Sequence, residues 1–167
     1  MGPTTTTRSR GRGKRLGMWL ALTTALFAVT LQGCGPVRER FKPEVDARFE
    51  TSSDLNPDDS GRPSPIVVRI YELASPGTFE TADFFTLYEQ EAATLGNDML
   101  AREEFELKPN EAKTFEAQLQ EDTRYIGVIG AYRNIDQARW RATYEIDGRN
   151  NPILIELDEK SVSISKR

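Results

Sequence analysis

The sequence predicts an all-β domain, a two-sheet β-sandwich of about eight strands with one short helical insertion. Three observations favour this class. Short segments rich in β-branched and aromatic residues recur after residue 44, several of them with alternating apolar and polar side chains. Clusters of proline, glycine and asparagine separate these segments. A single segment follows the three-to-four spacing of an amphipathic helix instead.

The first strand and the loop after it have the clearest local signals. Val45, Ala47 and Phe49 alternate with charged residues, which is the pattern of a half-buried strand. Residues 54–65 contain three prolines and a glycine among polar turn formers, and are predicted to form a long loop. The β-branched and aromatic segment 66–73 then predicts a central strand.

The helical insertion is predicted within residues 78–92. Thr81 is the expected N-cap, and Asp83 would lie in the first turn, where a carboxylate favours a helix. Residues 96–97, glycine and asparagine, would end the helical segment. The apolar residues that recur at helical spacing are Phe84, Leu87 and Tyr88.

The remaining strands are predicted at 101–107, 112–119, 124–133, 140–146, 153–157 and 161–165. The first two are expected to form a hairpin around a turn at 108–110. Gly127 and Gly130 would permit close packing or a bulge in the third. In the fourth, neighbouring residues point to opposite faces, so we expect Trp140 in the core and Arg141 at the surface.

The first 34 residues are predicted to be an export signal. A basic head at 8–15 precedes an uncharged apolar stretch at 16–31, which is the layout of a secretory signal peptide. An uncleaved transmembrane anchor is the alternative, although an apolar part of about 16 residues falls short of the roughly 20 that a span needs. The end of the stretch, Leu31-Gln32-Gly33-Cys34, resembles a bacterial lipobox.

The lipobox implies a lipoprotein with three regions. These are a removed signal peptide at 1–33, an acylated Cys34 with its tether at 34–43, and a β-sandwich domain at 44–167. Two or three acyl chains (palmitate or similar) on Cys34 would hold the protein stably on a membrane. Gly35, where inner-membrane lipoproteins tend to have aspartate, implies a lipid-anchored position on the outer membrane, facing the periplasm.

Composition removes several classes of function. The chain has no histidine and one cysteine, so it cannot build a histidine-based nucleophile system, a histidine-ligated metal site or an internal disulfide. The five charges in the first 33 residues are all basic, which leaves 17 basic and 26 acidic residues in 34–167. We expect no nucleic-acid binding, because phosphate contacts need clusters of lysine and arginine.

No residue set predicts catalysis. Acidic doublets such as Glu103 and Glu104 cannot form a facing acid–base pair, because adjacent strand residues point to opposite faces. Residues 56–61 lack the spacing and the closing glutamate of a calcium loop. We therefore predict that the protein is not an enzyme and has no metal, no small-molecule substrate and no cofactor apart from a covalent lipid on Cys34.

The order of motifs resembles the TssJ (SciN/VasD-like) family of type VI secretion outer-membrane lipoproteins. The resemblance runs from Cys34 to the C-terminus. It is carried by Leu55-Asn56-Pro57-Asp58, Gly61-Arg62-Pro63-Ser64-Pro65, the strand Ile66–Leu73, Phe84-Phe85, Leu107-x-Pro109, Ile126–Arg133 and Trp140-Arg141. It implies a transthyretin-like β-sandwich in a trans-envelope complex, bound to the periplasmic C-terminal domain of TssM (IcmF-like) and indirectly associated with TssL.

In that family the loop between the first two strands is linked to TssM binding, and the corresponding loop here is 54–65. Leu55 would be its apolar anchor, and Arg62 would pair with a carboxylate of the partner. The contact residues that the resemblance implies are Leu55, Asn56, Pro57, Asp58, Asp59, Arg62 and Pro63. The alternative function is a periplasm-facing lipoprotein that carries a ligand, or assists envelope assembly, through a sandwich cavity lined by Phe105, Phe115 and Tyr125.

Overall fold

The computed structural model describes residues 42–167, together with Gly2. The predicted signal peptide, Cys34 and nearly all of the tether therefore lie outside the described residues. Among the described residues, no helix combines the length and the apolar composition that a membrane span requires.

Within residues 42–167, eight strands form two sheets of four, which confirms the predicted sandwich. The strand order is β4-β1-β7-β8 in one sheet and β3-β2-β5-β6 in the other. Strands β1 and β7 are parallel, and the other pairs are antiparallel. The bounds are β1 (Glu44–Thr51), β2 (Ile66–Leu73), β3 (Met99–Leu107), β4 (Ala112–Gln118), β5 (Tyr125–Gly130), β6 (Arg141–Glu145), β7 (Asn150–Leu157) and β8 (Val162–Lys166).

The helical insertion lies between β2 and β3 and consists of three short helices rather than one. They are α1 (Gly77–Thr81), α2 (Phe84–Glu89) and α3 (Glu91–Leu95). The predicted N-cap was wrong, because Thr81 ends α1 and the extended backbone of Ala82 interrupts the helix. Asp83 is the N-cap of α2, and its carboxylate accepts a hydrogen bond from the Thr86 amide at 3.0 Å.

The predicted hairpin of β3 and β4 was also wrong. β3 pairs with β2, and β4 pairs with β1, so the turn at 108–111 passes from one sheet to the other. Both strands are edge strands on the same side of the sandwich. Period-two alternation identifies a strand but does not say which neighbour it pairs with, because both arrangements point the same residues inward.

The core lies between the inner faces of the two sheets. Val45, Ala47 and Phe49 are buried, as their alternation predicts. Phe49 meets Phe105 of the facing sheet edge-to-face, with ring centroids 4.9 Å apart. A second apolar cluster lies between the outer face of β2 and β5 and the insertion, and its buried members are Tyr71, Leu73, Phe79, Leu87, Leu95 and Ile129.

The glycines of β5 allow the close packing that the sequence predicts. A Cβ atom at Gly127 would lie 2.8 Å from Cζ of Phe79 and 2.9 Å from Cδ1 of Leu73. Gly127 therefore lets α1 approach the sheet more closely than any residue with a side chain would allow.

The strand directions separate two ends of the domain. Thr51 pairs with Leu157, Ile66 with Leu107, and Val68 with Gly130, so four connections meet at one end. We call this end the loop pole, and it comprises residues 52–65, 108–111, 131–140 and 158–161.

The described chain enters at the opposite end, where the amide of Leu119 donates to the carbonyl of Pro43 at 2.8 Å. We call this end the entry pole, and it comprises residues 42–43, 119–124 and 146–149. The eight residues of β1 separate the two poles by about 25 Å.

Candidate partner-binding site

The base of the loop 54–65 is part of the core. Leu55 is 0% exposed and packs in the inter-sheet cluster. Its carbonyl accepts a hydrogen bond from the amide of Ser64 at 3.0 Å, which closes the loop above it. The predicted partner contact of Leu55 stays a prediction, and its side chain is accessible only if the loop opens.

Asn56 joins three segments of the loop pole. It is 3% exposed and has a positive φ of 46°, a conformation that asparagine adopts more readily than most residues. Its Nδ2 donates to the carbonyl of Pro65 at 2.8 Å, and its Oδ1 accepts from the amide of Arg133 at 2.8 Å. Its own amide donates to the carbonyl of Glu159 at 3.2 Å. The loops at 52–65, 131–140 and 158–161 therefore form one connected surface.

The tip of the loop is organised around the carboxylate of Asp58. Oδ1 accepts from the amides of Ser60 at 2.9 Å and Arg62 at 3.0 Å, and Oδ2 accepts from Nε of Arg62 at 2.8 Å. Arg62 and these amides hold the pKa of Asp58 below its usual value. Gly61 supplies the positive φ, 76°, that the turn requires.

The predicted contact residues thus divide into three groups by exposure. Leu55 and Asn56 form the buried base, whereas Asp59, Arg62 and Pro63 are exposed at the tip. Pro57 and Asp58 lie between these groups and are half-buried. The side chain of Arg62 is 79% exposed. A loop held by internal bonds and prolines loses little conformational freedom on binding, so the arrangement suits recognition of another protein.

The sequence interpretation missed the loop at 131–140 as part of this surface. Tyr132 donates its hydroxyl to the carbonyl of Ser161 at 2.6 Å, and the amide of Arg139 donates to the carbonyl of Lys160 at 2.9 Å. Burial raises the pKa of Tyr132, so its hydroxyl stays protonated and remains a donor. The strand-like pattern that ends at Arg133 gave no sign that its last residue meets a loop 77 positions earlier.

A second polar cluster attaches the insertion to the sheet. Arg69 donates to Glu104 at 2.6 Å and to the carbonyl of Tyr88 at 2.6 Å, and its guanidinium lies 3.7 Å from the Tyr88 ring centroid. Glu91 accepts from the hydroxyl of Tyr71 at 2.8 Å and pairs with Arg69 at 3.1 Å. These groups satisfy one another, so the cluster has a structural explanation.

The expectation for Arg141 requires correction, whereas Trp140 packs against both apolar clusters as expected. Both residues are partly buried, and the Arg141 guanidinium lies 4.4 Å from the Trp140 ring centroid. Trp140 lies just before β6, so strict strand alternation does not hold across the pair. Arg141 donates to the carbonyls of Phe79 at 3.0 Å and Ala82 at 2.5 Å, and desolvation lowers its pKa.

The three residues proposed to line a ligand cavity do not meet in one. Phe105 packs on Phe49, and Tyr125 packs against the cluster beneath the insertion. Phe115 lines a cleft of about 230 Å³ between the edges of β3 and β4, with Ile70 and Ile126 among its other lining residues. This cleft is smaller than the roughly 300–1,000 Å³ typical of ligand sites. Among the described residues, no group of three or more acidic side chains is placed to hold a metal ion.

The fold defines a class: a two-sheet β-sandwich with a helical insertion and a preorganised loop surface. A family model described as type VI secretion lipoprotein, VasD, EvfM, TssJ (T6SS-SciN) matches residues 43–160. The chain therefore belongs to the type VI secretion lipoprotein family, as its motifs predict. Comparison with curated proteins gives no significant match.

Solved structures agree with this assignment. The T6SS lipoprotein TssJ1 from Pseudomonas aeruginosa is similar at 34% identity, with a TM-score of 0.73 over 75% of this chain and 97% of that one. Serratia marcescens Lip, described as a membrane-bound component of the type VI secretion system, shows 27% identity and a TM-score of 0.70, covering 75% and 98%. A chain in a structure described as the T6SS protein TssM C-terminal domain (869–1107) from EAEC shares the fold, with 20% identity and a TM-score of 0.64 over 74% and 98%.

Proposed function

We propose that the protein is the outer-membrane lipoprotein subunit of a type VI secretion trans-envelope complex. In this role it anchors the complex by binding the periplasmic C-terminal domain of TssM through its loop pole, and it associates with TssL indirectly. It does so as a structural subunit and not as an enzyme. The observation that carries the proposal is the placement of the loop 54–65 at the pole opposite the chain entry.

That placement suits a protein that is attached to a membrane at one end and binds a partner protein at the other. The described chain begins at the entry pole, so a lipid on Cys34 would hold this end toward the membrane. The loop pole, about 25 Å away, would then face the periplasm and a partner that rises from the inner membrane. The tip presents Asp59, Arg62 and Pro63 without any folding step, which lowers the entropy lost on binding.

Family membership supports the choice of partner. The chain belongs to the type VI secretion lipoproteins, and a chain with the same fold occurs in a structure described by its TssM C-terminal domain. The acidic balance of residues 34–167 is also compatible with a protein partner rather than a nucleic acid.

Binding to TssM is tested with the full-length protein purified in detergent from its native membranes. The immobilised periplasmic C-terminal domain of TssM from the same organism should bind it, and the amount bound against concentration should fit a single class of sites. The double variant Asp59→Lys, Arg62→Glu should weaken binding by about tenfold or more, because it reverses both exposed tip charges. The matched control is Arg48→Glu on β1, an exposed charge reversal away from the loop pole.

A wild-type protein that the TssM domain does not retain would refute the proposed partner. Equal loss of binding in the Arg48→Glu control would refute the role of the loop pole, because a general charge effect would then explain the result.

The membrane anchor is tested separately with Cys34→Ser in the native cell. Metabolic palmitate labelling and outer-membrane sedimentation should both disappear in the variant. The alternative outcome is a wild-type protein that is unlabelled, keeps its leader and sediments with the inner membrane. That outcome would instead establish a transmembrane anchor.

A further inference from the structure

We infer that Arg133 is a second contact point of the loop pole and that it receives a carboxylate of the partner protein. This inference rests on the proposed function and extends its binding surface from the loop 54–65 to the loop 131–140. The structure brings the two loops together through the hydrogen bond from the Arg133 amide to Oδ1 of Asn56.

The backbone of Arg133 is fixed while its side chain remains available. Its amide is held by the buried Asn56, and the preceding residue, Tyr132, is anchored to Ser161 through its hydroxyl. Within residues 42–167, the exposed guanidinium of Arg133 makes no hydrogen bond and no ion pair. The position of the group is therefore set before a partner arrives.

The cation of the loop 54–65, Arg62, is already engaged. Arg62 donates to Asp58 at 2.8 Å, and each of the two oxygens of that carboxylate accepts at least one hydrogen bond. Arg133 lies close enough to act on the Asp58 carboxyl electrostatically, yet it forms no bond to it. The Arg133 guanidinium thus lies near an ion pair whose charges already balance, and it can bind an anionic group of a partner protein.

The chemistry of arginine indicates the kind of group that fits. A guanidinium presents several donors in one plane and binds a carboxylate through two parallel hydrogen bonds. It is also more weakly hydrated than an ammonium group, so its transfer into an interface is easier. We therefore expect an aspartate or glutamate of the partner segment to lie against Arg133 while the tip at 58–63 contacts the adjoining surface.

The test uses the full-length protein and the TssM periplasmic domain, with Arg133→Glu, Arg133→Lys and the control Arg48→Glu. The inference predicts a loss of affinity of about tenfold or more for Arg133→Glu and a smaller loss for Arg133→Lys, which keeps the charge without the planar donors. The wild-type affinity should also fall more steeply with added salt than that of Arg133→Ala. Replacement of the partner's carboxylate residue by lysine should restore binding to Arg133→Glu, because the swap re-forms the pair with reversed charges.

The outcomes separate the two claims. The inference is overturned if the affinity of Arg133→Glu stays within twofold of the wild-type affinity while the Asp59→Lys, Arg62→Glu variant loses binding. The proposed function would remain intact in that case. Wild-type protein that does not bind overturns both. Urea unfolding of each variant checks the fold, and we expect no large change because the Asn56 bond uses the backbone of Arg133, not its side chain.

Discussion

Replacement of Asn56 should loosen the whole loop pole. The side chain of Asn56 is buried and supplies one donor to Pro65 and one acceptor to Arg133, each at 2.8 Å. Asn56→Gly removes both groups but keeps a residue that tolerates the φ of 46°. Asn56→Ala removes the same groups and adds backbone strain, so the two variants separate the side-chain and backbone contributions.

The expected magnitude follows from these contacts. Each partner left without its hydrogen bond costs about 1 kcal/mol, the low end of the range for buried groups, because both bonds are only partly buried. Asn56→Gly should therefore lower the free energy of unfolding by about 2 kcal/mol. Asn56→Ala should lower it by about 3 kcal/mol, because a left-handed backbone conformation costs a residue with a Cβ roughly 1 kcal/mol more.

Urea unfolding measures these losses, and amide hydrogen exchange locates them. The Arg133 amide should exchange faster in both Asn56 variants, since its acceptor is gone. Asn110→Ala is the matched control, because Asn110 also has a positive φ, 58°, but lies exposed in the 108–111 turn, and its side chain makes no hydrogen bond within the described chain. A loss in Asn110→Ala as large as in Asn56→Ala would contradict a specific role of the Asn56 side chain, as would unchanged exchange of the Arg133 amide.

Three further changes test other parts of the molecule. Gly127→Ala should destabilise the protein by about 1–3 kcal/mol in urea unfolding, because the new methyl group would lie 2.8 Å from the Phe79 ring. Glu91→Gln should lower the free energy of unfolding by about 1–2 kcal/mol, since Arg69 loses a partly buried ionic partner. At a pH below 3.8, protonation of Asp58 should release the loop tip, because the neutral carboxyl group no longer pairs with Arg62; the pKa is lowered from 3.8 in the folded protein. The hydrogen bonds are then complete above pH 3.8 and are lost as the pH falls through the lower folded value.

Each of these changes has a control on the same chain. Gly77→Ala should be nearly neutral, because the nearest atom beyond its chain neighbours and its own helix backbone, Oγ of Ser75, lies 4.0 Å from the added Cβ. Glu103→Gln should also be neutral, since Glu103 is exposed. Arg62→Gln should raise the titration midpoint of Asp58 toward 3.8 in a carboxyl NMR titration, and an unchanged midpoint would contradict the assignment of Arg62 as the main cause.

Local pattern was sufficient to predict most strands and to predict where the loop 54–65 lies. Val45, Ala47 and Phe49 alternate because one face of β1 is buried, and this burial selects the residue types directly. The insertion was predicted as helical for the same reason. Its N-cap was predicted two residues too early because Thr81 and Asp83 both have side chains that can cap a helix, and the extended backbone at Ala82 distinguishes them only in the folded structure.

The class of the protein follows from the linear chain, because the segment that resembles a lipobox, the absence of histidine and the order of motifs can all be read without a fold. The placement of β3 and β4 in different sheets, the burial of Leu55 and the contact of Arg133 with Asn56 arise only when the chain folds. Strand pairing and burial depend on which segments, distant in sequence, pack in the same hydrophobic core. Residues 56 and 133 meet because two sheets fold over one core, and no spacing along the chain encodes that meeting.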